Sequence, residues 1–127
     1  MTAAGNPDLS TLEILVLHNV THRVRPKRLS DVCFMLNIDD THTVNYALKK
    51  LIKHGLVEGA KTGKEIFYST TEAGVDLCNA YRDMREQCLI DGLTNIDTDG
   101  DELRQIASTL RTLSGIYDQA SRAASSL

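Results

Sequence analysis

The chain has 127 residues, of which 42% are hydrophobic and 24% are charged, the proportions of an ordinary soluble domain. This composition excludes a chain that is disordered throughout, and the length is enough to bury one core with an appended element. Residues 1–9 are predicted to form a flexible N-terminal tail. The opening residues lack the basic stretch and the apolar core of a secretion signal, and no apolar run is long enough for a membrane span. A cytoplasmic location is therefore expected.

The charges are unevenly distributed along the chain. The formal net charge is −3, yet residues 22–64 hold nine Lys and Arg against four Asp and Glu, a net charge of +5. Residues 65–127 hold five basic and eleven acidic residues, a net charge of −6. A basic block next to an acidic one is typical of a phosphate-facing surface attached to a solvated remainder. Chance clustering is the alternative explanation.

Two helices are predicted in the first 36 residues. Ser10 and Glu13 have the spacing of a capping box, so the first helix is expected to begin at Ser10. Its recurring apolar residues are Leu12, Leu15, Val16 and Val20. After an interruption at Pro26, a short second helix is expected over about 30–36, with Ser30 as its N-cap. The residues expected on its buried face are Val32, Cys33 and Leu36.

A third helix is predicted over about 41–54, after a turn at residues 37–40. Asp40 is the expected N-cap, and Gly55 is the expected left-handed residue after the helix. A core stripe recurs with helical spacing at Val44, Ala47, Leu48 and Leu51. The opposite face is polar and cationic and carries Thr41, His42, Asn45, Lys49 and Lys53.

A β-hairpin with a lysine-bearing tip follows the third helix. Leu56 and Val57 begin one strand, and Ile66 to Ser69 forms the other. Between them, the segment Lys61-Thr62-Gly63-Lys64 contains a glycine that can adopt positive φ in a tight turn. Residues 59–66 are the predicted wing.

Two longer helices are predicted after the hairpin. The first covers 71–91, with Thr71 as its N-cap and Cys78, Tyr81 and Cys88 on its apolar side. The second begins near Asp101, and its apolar residues recur in alternating steps of three and four, as in a coiled-coil heptad. This seam is expected to pair with a second copy of the chain, with packing on its own domain as the alternative. The predicted dimerisation residues are Leu103, Ile106, Leu110, Leu113, Tyr117 and Ala120.

Three helices followed by a strand–turn–strand predict a winged helix-turn-helix: a mainly α fold with a small β-hairpin wing and a long C-terminal helix. We expect a DNA-binding domain at 10–92 and a loop with a dimerisation helix at 93–127. The major groove of DNA is wide enough for one α-helix, so the third helix is the predicted recognition helix. The candidate phosphate contacts are Arg28, Ser30, Thr41, Thr43, Lys49, Lys50 and Lys53, and candidates for base edges are His42 and Asn45. Tyr46 is expected to pack against a sugar or a thymine methyl, and Lys61 and Lys64 are expected to reach the backbone or the adjacent minor groove.

Two segments resemble the multiple-antibiotic-resistance-regulator (MarR) family. Residues 41–57, THTVNYALKKLIKHGLV, are similar to that family's recognition helix and the exit from it. Thr71-Glu72-Ala73-Gly74 resembles the segment that follows the wing. The resemblance implies a homodimer with a recognition helix in each major groove, dimerisation through the terminal helices, and often a small anionic ligand that weakens DNA binding. The family's wing usually carries an Asp-x-Arg element, which is missing from Lys61-Thr62-Gly63-Lys64.

These patterns favour a sequence-specific regulator of transcription that binds double-stranded DNA as a homodimer. The alternative is a winged-helix module for protein–protein interaction that does not bind DNA, which the acidic overall charge would suit. No catalytic motif, metal-ligand spacing or cofactor motif is recognisable, so neither an enzyme nor a metal or cofactor site is expected. Cys78 and Cys88 are interpreted as buried small residues, with redox sensing as the alternative.

Overall fold

The computed structural model describes residues 8–96 and 99–126. In this part of the chain the order of elements is α1 (Thr11–Thr21), α2 (Leu29–Leu36), α3 (Thr41–Lys53), β1 (Val57–Thr62), β2 (Glu65–Thr70), α4 (Glu72–Leu93) and α5 (Gly100–Ser125). A 3-10 turn, His22–Val24, follows α1. The predicted fold class, mainly α with a β-hairpin wing and a long last helix, is confirmed. The predicted tail at 1–9 lies outside the described residues except for its last two positions.

Two compact units divide between Gln87 and Cys88, inside α4. The first unit holds α1 to α3, the hairpin and most of α4, and its core is formed by residues from all of these elements. The second unit is mainly α5. The proposed domain roles of residues 10–92 and 93–127 stay predictions. Within residues 8–96 and 99–126, no helix is both long enough and apolar enough to cross a membrane.

The start of α1 is fixed by the predicted capping box. The Ser10 backbone N–H donates to Glu13 Oε2 at 2.8 Å, and the Glu13 N–H donates to Ser10 Oγ at 3.3 Å. Of the recurring apolar residues, Val16 and Val20 are buried, whereas Leu15 is 49% exposed. The buried face continues through Leu17 instead.

The start of α2 differs from the prediction. The helix begins at Leu29, and the backbone N–H of Arg28 donates to Asp31 Oδ2 at 2.9 Å. Ser30 is therefore an exposed residue of the first turn and not the N-cap. The cap comes from the acidic side chain three residues further along, which reaches back to the start of the helix. The predicted buried face is confirmed, with Val32 and Cys33 buried and Leu36 packed against the core.

The third helix follows its prediction closely. Asp40 caps it by accepting from the His42 N–H at 3.0 Å. All four stripe residues, Val44, Ala47, Leu48 and Leu51, are at most 2% exposed. Gly55 follows the helix with φ +69°, the left-handed conformation that glycine adopts without a steric cost. The buried stripe packs against α1 and α2, so the opposite side of α3 is left to solvent.

The hairpin is longer than predicted. Its strands pair in antiparallel register from Val57↔Thr70 to Thr62↔Glu65, which leaves Gly63 and Lys64 as the turn. Gly63 has φ +64°, as the turn prediction requires. A single bridge adds one more residue to the sheet: the Lys27 N–H donates to the Tyr68 carbonyl at 2.9 Å, and the Tyr68 N–H donates to the Lys27 carbonyl at 2.8 Å. This bridge ties the wing to the segment between α1 and α2.

The last two helices are also capped. The Gly74 N–H donates to Thr71 Oγ1 at 3.2 Å, which confirms Thr71 at the start of α4, and this helix continues two residues beyond the predicted end. Cys78 and Tyr81 are buried on its apolar side, whereas Cys88 is exposed, so its assignment to that side was wrong. Asp99 caps α5 by accepting from the Asp101 and Glu102 N–H groups.

Candidate nucleic-acid interface

The solvent face of α3 gathers most of the residues that the sequence assigned to DNA. Successive helical residues are rotated by about 100°, so positions 42, 49 and 53 point away from the buried stripe. His42, Lys49 and Lys53 are all exposed, and Tyr46 on the same side is 71% exposed. Asn45 is partly buried at the edge of this face. One polar and cationic surface therefore runs along the helix.

The first turn of α3 is organised by Asp40. The Thr43 hydroxyl donates to Asp40 Oδ2 at 2.9 Å, and this bond, with the His42 backbone N–H, lowers the pKa of the Asp40 carboxyl. The hydroxyl of Thr43 is thus engaged in the cap, while Thr41 and the His42 side chain are exposed. A negative charge at this end also stabilises the helix through its dipole.

An open groove lies between the start of α2, the start of α3 and strand β2. Glu65, Ile66 and Tyr68 from β2 form one wall of it. The groove lies where the wing meets the helix-turn-helix, so it brings together predicted contacts that are far apart in the sequence. Five of these contacts line it: Arg28, Ser30, Thr41, Asn45 and Lys64.

Both wing lysines are exposed, and they occupy different places on the hairpin. Lys64 lies in the turn, and Lys61 lies in β1 opposite Ile66. Directly opposed residues of an antiparallel pair project on the same side of the sheet. Lys61 therefore projects on the side of Ile66, which lines the groove.

Arg28 is held by two carboxylates. Its Nη2 lies 3.2 Å from Asp31 Oδ1, and its Nη1 lies 3.3 Å from Glu65 Oε1 on the wing. The hydrogen bonds to Asp31 and then to Glu65 raise the pKa of the guanidinium, and those from Arg28 lower the pKa of Asp31. The contact with Glu65 was not recognised from the sequence, because only the fold brings this residue, 37 positions away, to Arg28.

Lys50 lies on the flank of α3 and not on its solvent face. Its Nζ donates to Glu13 Oε2 at 3.0 Å, and the Glu13 side chain is almost completely buried. Burial raises the pKa of Glu13, but the hydrogen bonds from Ser10 and Lys50 outweigh it, and the net pKa lies below its ordinary value. The ammonium of Lys50 is thus paired with α1 in the free protein, and its predicted contact with a phosphate stays a prediction.

Lys27, whose backbone bridges to the wing, has a buried side chain that no sequence pattern predicts. Lys27 is 7% exposed, and its ammonium donates to the carbonyl of Asn19 and, at 2.8 Å, to that of His22. These carbonyls belong to the end of α1, where backbone acceptors lack helical partners. Burial, with the nearby Arg25 and Arg23 charges, lowers the pKa of Lys27. The sequence could not reveal this role, because a lysine in a basic stretch is normally solvated.

The cysteines lie in different environments. Cys78 is buried, and its thiol lies 3.5 Å from the hydroxyl of Thr21. Burial raises the pKa of the Cys78 thiol and also that of Cys33, which favours unreactive thiols. Cys88 is exposed. In residues 8–96 and 99–126, no three or more His, Cys, Asp or Glu side chains are grouped so as to hold a metal ion.

The heptad seam of α5 is largely exposed. Leu113 is 44% exposed and Tyr117 is 74% exposed, and every other predicted dimerisation residue is exposed except Leu103, which is partly buried. Ile106 and Leu110 border a shallow groove along the helix, together with three polar residues of the same helix: Glu102, Gln105 and Thr109. A row of large apolar side chains open to water marks a surface suited to association.

Comparison with known proteins shows which family has this architecture. Residues 9–74, more than half of the chain, match the winged helix DNA-binding domain family, and the chain belongs to it. Comparison with curated proteins by sequence gave no match.

Solved structures of MarR-type regulators have the same fold. Staphylococcus aureus MarR, in complex with salicylate and kanamycin, aligns over 87% of this chain and 75% of that chain with a TM-score of 0.77 and 15% identity. The transcriptional regulator SlyA aligns over 88% and 78% with a TM-score of 0.72 and 16% identity. Streptococcus pneumoniae FabT in complex with DNA aligns over 88% and 78%, with a TM-score of 0.69 and 15% identity. The resemblance to the MarR family is thereby confirmed as one of fold, and the matched family is one of DNA-binding domains.

Proposed function

We propose that this protein regulates transcription by binding specific sites in duplex DNA as a homodimer. The observation that carries the proposal is the solvent face of α3, where His42, Asn45, Lys49 and Lys53 lie opposite a fully buried stripe. A rigid helix with hydrogen-bonding and cationic side chains on its outer side suits the major groove, which is about 12 Å wide.

The proposed DNA contacts are of two kinds, contacts to base edges and contacts to phosphates. His42 and Asn45 are proposed to reach base edges, because both can donate and accept hydrogen bonds. Lys49 and Lys53 are proposed to bind phosphates of the DNA backbone. The groove that Arg28, Ser30 and Thr41 share with Lys64 is proposed to follow one DNA strand, which would place the wing on the backbone or in the adjacent minor groove.

The proposed dimer uses the exposed seam of α5. Leu103, Ile106, Leu110, Leu113, Tyr117 and Ala120 would pack against the same residues of a second copy. Two recognition helices related by a two-fold axis can read half-sites about one helical turn apart, roughly 34 Å. The solved structure of FabT with DNA supports a DNA complex for this fold. Bordetella bronchiseptica BpsR, whose DNA binding is regulated by 6-hydroxynicotinic acid, supports the prediction of a small anionic effector.

Fluorescence anisotropy on labelled duplexes from the DNA upstream of the protein's own gene tests the proposal. We expect affinity to fall steeply between low and physiological salt, because binding to phosphates releases counterions. The double variant Lys49→Ala/Lys53→Ala should bind more weakly and lower the salt slope by about 0.9 for each phosphate that is no longer neutralised. Arg82→Ala/Arg85→Ala is the matched control, since it removes the same charge from exposed positions of α4.

The outcomes separate the two candidate functions. A steep salt dependence that only the α3 variant reduces supports DNA binding through this helix. Equal losses of affinity in both double variants would indicate a general charge effect and contradict the assignment to α3. If the protein does not bind any duplex even at low salt, the DNA proposal fails and the winged helix is better explained as a protein-interaction module.

A further inference from the structure

The most unusual feature of the proposed interface is an acidic side chain within it. Glu65, the first residue of β2, lines the same groove as Arg28, Ser30, Thr41 and Lys64. A carboxylate facing DNA phosphates raises the electrostatic free energy of the complex. A groove that serves only to attract phosphate would not be expected to contain one.

Arg28 connects this carboxylate to the helix-turn-helix. Its Nε and Nη2 donate to Asp31 at 3.3 and 3.2 Å, and its Nη1 donates to Glu65 Oε1 at 3.3 Å. Asp31 also accepts from the Arg28 backbone N–H at 2.9 Å, so this partner belongs to the cap of α2. Asp31 therefore orients the guanidinium in the groove, while Glu65 accepts a hydrogen bond from Nη1 on the opposite edge of the guanidinium.

The pair with Glu65 is weak enough to be exchanged. The Arg28 and Glu65 side chains are 45% and 55% exposed, and ion pairs in that environment contribute little because water and salt screen them. A phosphate oxygen offers the same guanidinium donor an acceptor of equal charge. One exposed carboxylate and one backbone phosphate would thus compete for the same nitrogen.

We propose that Glu65 is an internal competitor that occupies Arg28 in the free protein and is displaced by a DNA phosphate on binding. This inference rests on the proposed function and deepens it. Glu65 lowers affinity for DNA in general, since every complex must break the same pair before Arg28 contacts a phosphate. Arg28 becomes a phosphate contact only when the wing residue releases it.

The test is a mutant cycle measured by anisotropy on one duplex across a salt series. Glu65→Gln should tighten binding about two- to fivefold, the range expected for an exposed ion pair, and should leave thermal stability nearly unchanged. The gain must require Arg28, so Arg28→Gln/Glu65→Gln should bind no better than Arg28→Gln. Glu58→Gln is the matched control, because it removes a carboxylate from β1 at a position paired with Ser69 and outside the groove.

The results distinguish this inference from the proposed function. If the wild type binds and Glu65→Gln binds equally or more weakly, the competitor role is wrong while DNA binding stands. An equal gain from Glu65→Gln in the presence and absence of Arg28 would also overturn it, because the effect would then be one of general charge. If no variant binds DNA at low salt, both proposals fail.

Discussion

The ammonium of Lys50 lies 3.0 Å from Oε2 of Glu13, and this contact joins the flank of α3 to the first turn of α1. The same carboxylate oxygen accepts from the Ser10 N–H at 2.8 Å, so one buried group caps α1 and anchors α3. The anchor lies on the side of α3 that faces α1, away from His42 and Lys53. It fixes the orientation of the proposed recognition helix without using any residue of its solvent face.

Replacing Glu13 by Gln should destabilise the protein at neutral pH. Glutamine can still accept from Ser10, so the loss isolates the charge, which we expect to be worth about 1–3 kcal/mol because the carboxylate is buried. The folded state lowers the pKa of Glu13. Its contribution is therefore complete above the unfolded value of about 4.3 and is lost as the pH falls through the lowered folded value.

Urea denaturation of both proteins from pH 7 to pH 3 measures this contribution. The difference in free energy of unfolding between wild type and Glu13→Gln should be largest at neutral pH and shrink on acidification. The exposed Glu86→Gln of α4 serves as the control and should change stability by less than about 0.5 kcal/mol. A difference that stays constant over the whole pH range would show that the pair with Lys50 is not the cause.

Lys50 and Lys53 should behave differently although both are lysines of α3. Lys53→Gln removes an exposed cation of the solvent face and should reduce the salt slope of DNA binding by about 0.9 if it neutralises one phosphate. Lys50→Gln should leave the slope unchanged and lower stability to urea, because its ammonium is paired with Glu13. Salt-dependent anisotropy and urea denaturation of both variants measure the two effects. A reduced slope for Lys50→Gln would instead support the predicted phosphate contact of this residue.

This pair of lysines also shows what the sequence could and could not predict. The buried stripe of α3 and its cap at Asp40 were predictable, because helical periodicity and capping are local properties of the chain. The partner of Lys50 was not, because Glu13 is 37 residues away and only the packing of α1 on α3 brings them together. The Arg28–Glu65 contact, also 37 residues apart, was missed for the same reason.

The bridge between Lys27 and Tyr68 illustrates a second limit. A strand is recognised by alternation over several residues, and a single bridging residue provides none. The start of α2 was misplaced for a different, local reason: Ser30 has a favoured capping side chain, yet the cap is made by Asp31 from within the helix. Local sequence patterns thus located the helices and strands, while contacts between residues far apart in the sequence determined which side chains meet in the site.

Gly74 should be intolerant of even one added methyl group. A Cβ at this position would lie 2.5 Å from Thr70 Oγ1 and would overlap the carbonyl oxygen of Leu56, a backbone atom that cannot easily move. We expect Gly74→Ala to lower the free energy of unfolding by about 1–3 kcal/mol or more, as overpacking does. Urea denaturation gives the value.

Gly92→Ala provides the same substitution in the same helix as a control. A Cβ at Gly92 meets no atom within 4 Å, and alanine is favoured over glycine in a helix by up to about 1 kcal/mol. This variant should be as stable as the wild type or more stable. Similar destabilisation by both substitutions would mean that glycine at 74 is not required by the approach of Leu56 and Thr70.

The proposed dimer predicts that two charges on the seam of α5 will separate the protomers. Leu110→Glu/Leu113→Glu would place carboxylates where each copy buries apolar side chains, and burying unpaired charges opposes association. Analytical ultracentrifugation should then show a monomer where the wild type is a dimer. DNA affinity should fall as well, because a monomer contacts one half-site only.

The control places the same charges elsewhere on the helix. Ser108→Glu/Thr112→Glu adds two carboxylates to exposed positions that lie roughly opposite the seam, since residues of α5 are rotated by about 100° each. This variant should remain a dimer. Its DNA affinity should fall only by the amount that two added negative charges cause. If the two double variants sediment alike, the seam does not form the interface. A seam variant that is monomeric yet binds DNA with unchanged affinity would show that one recognition helix and one wing are enough.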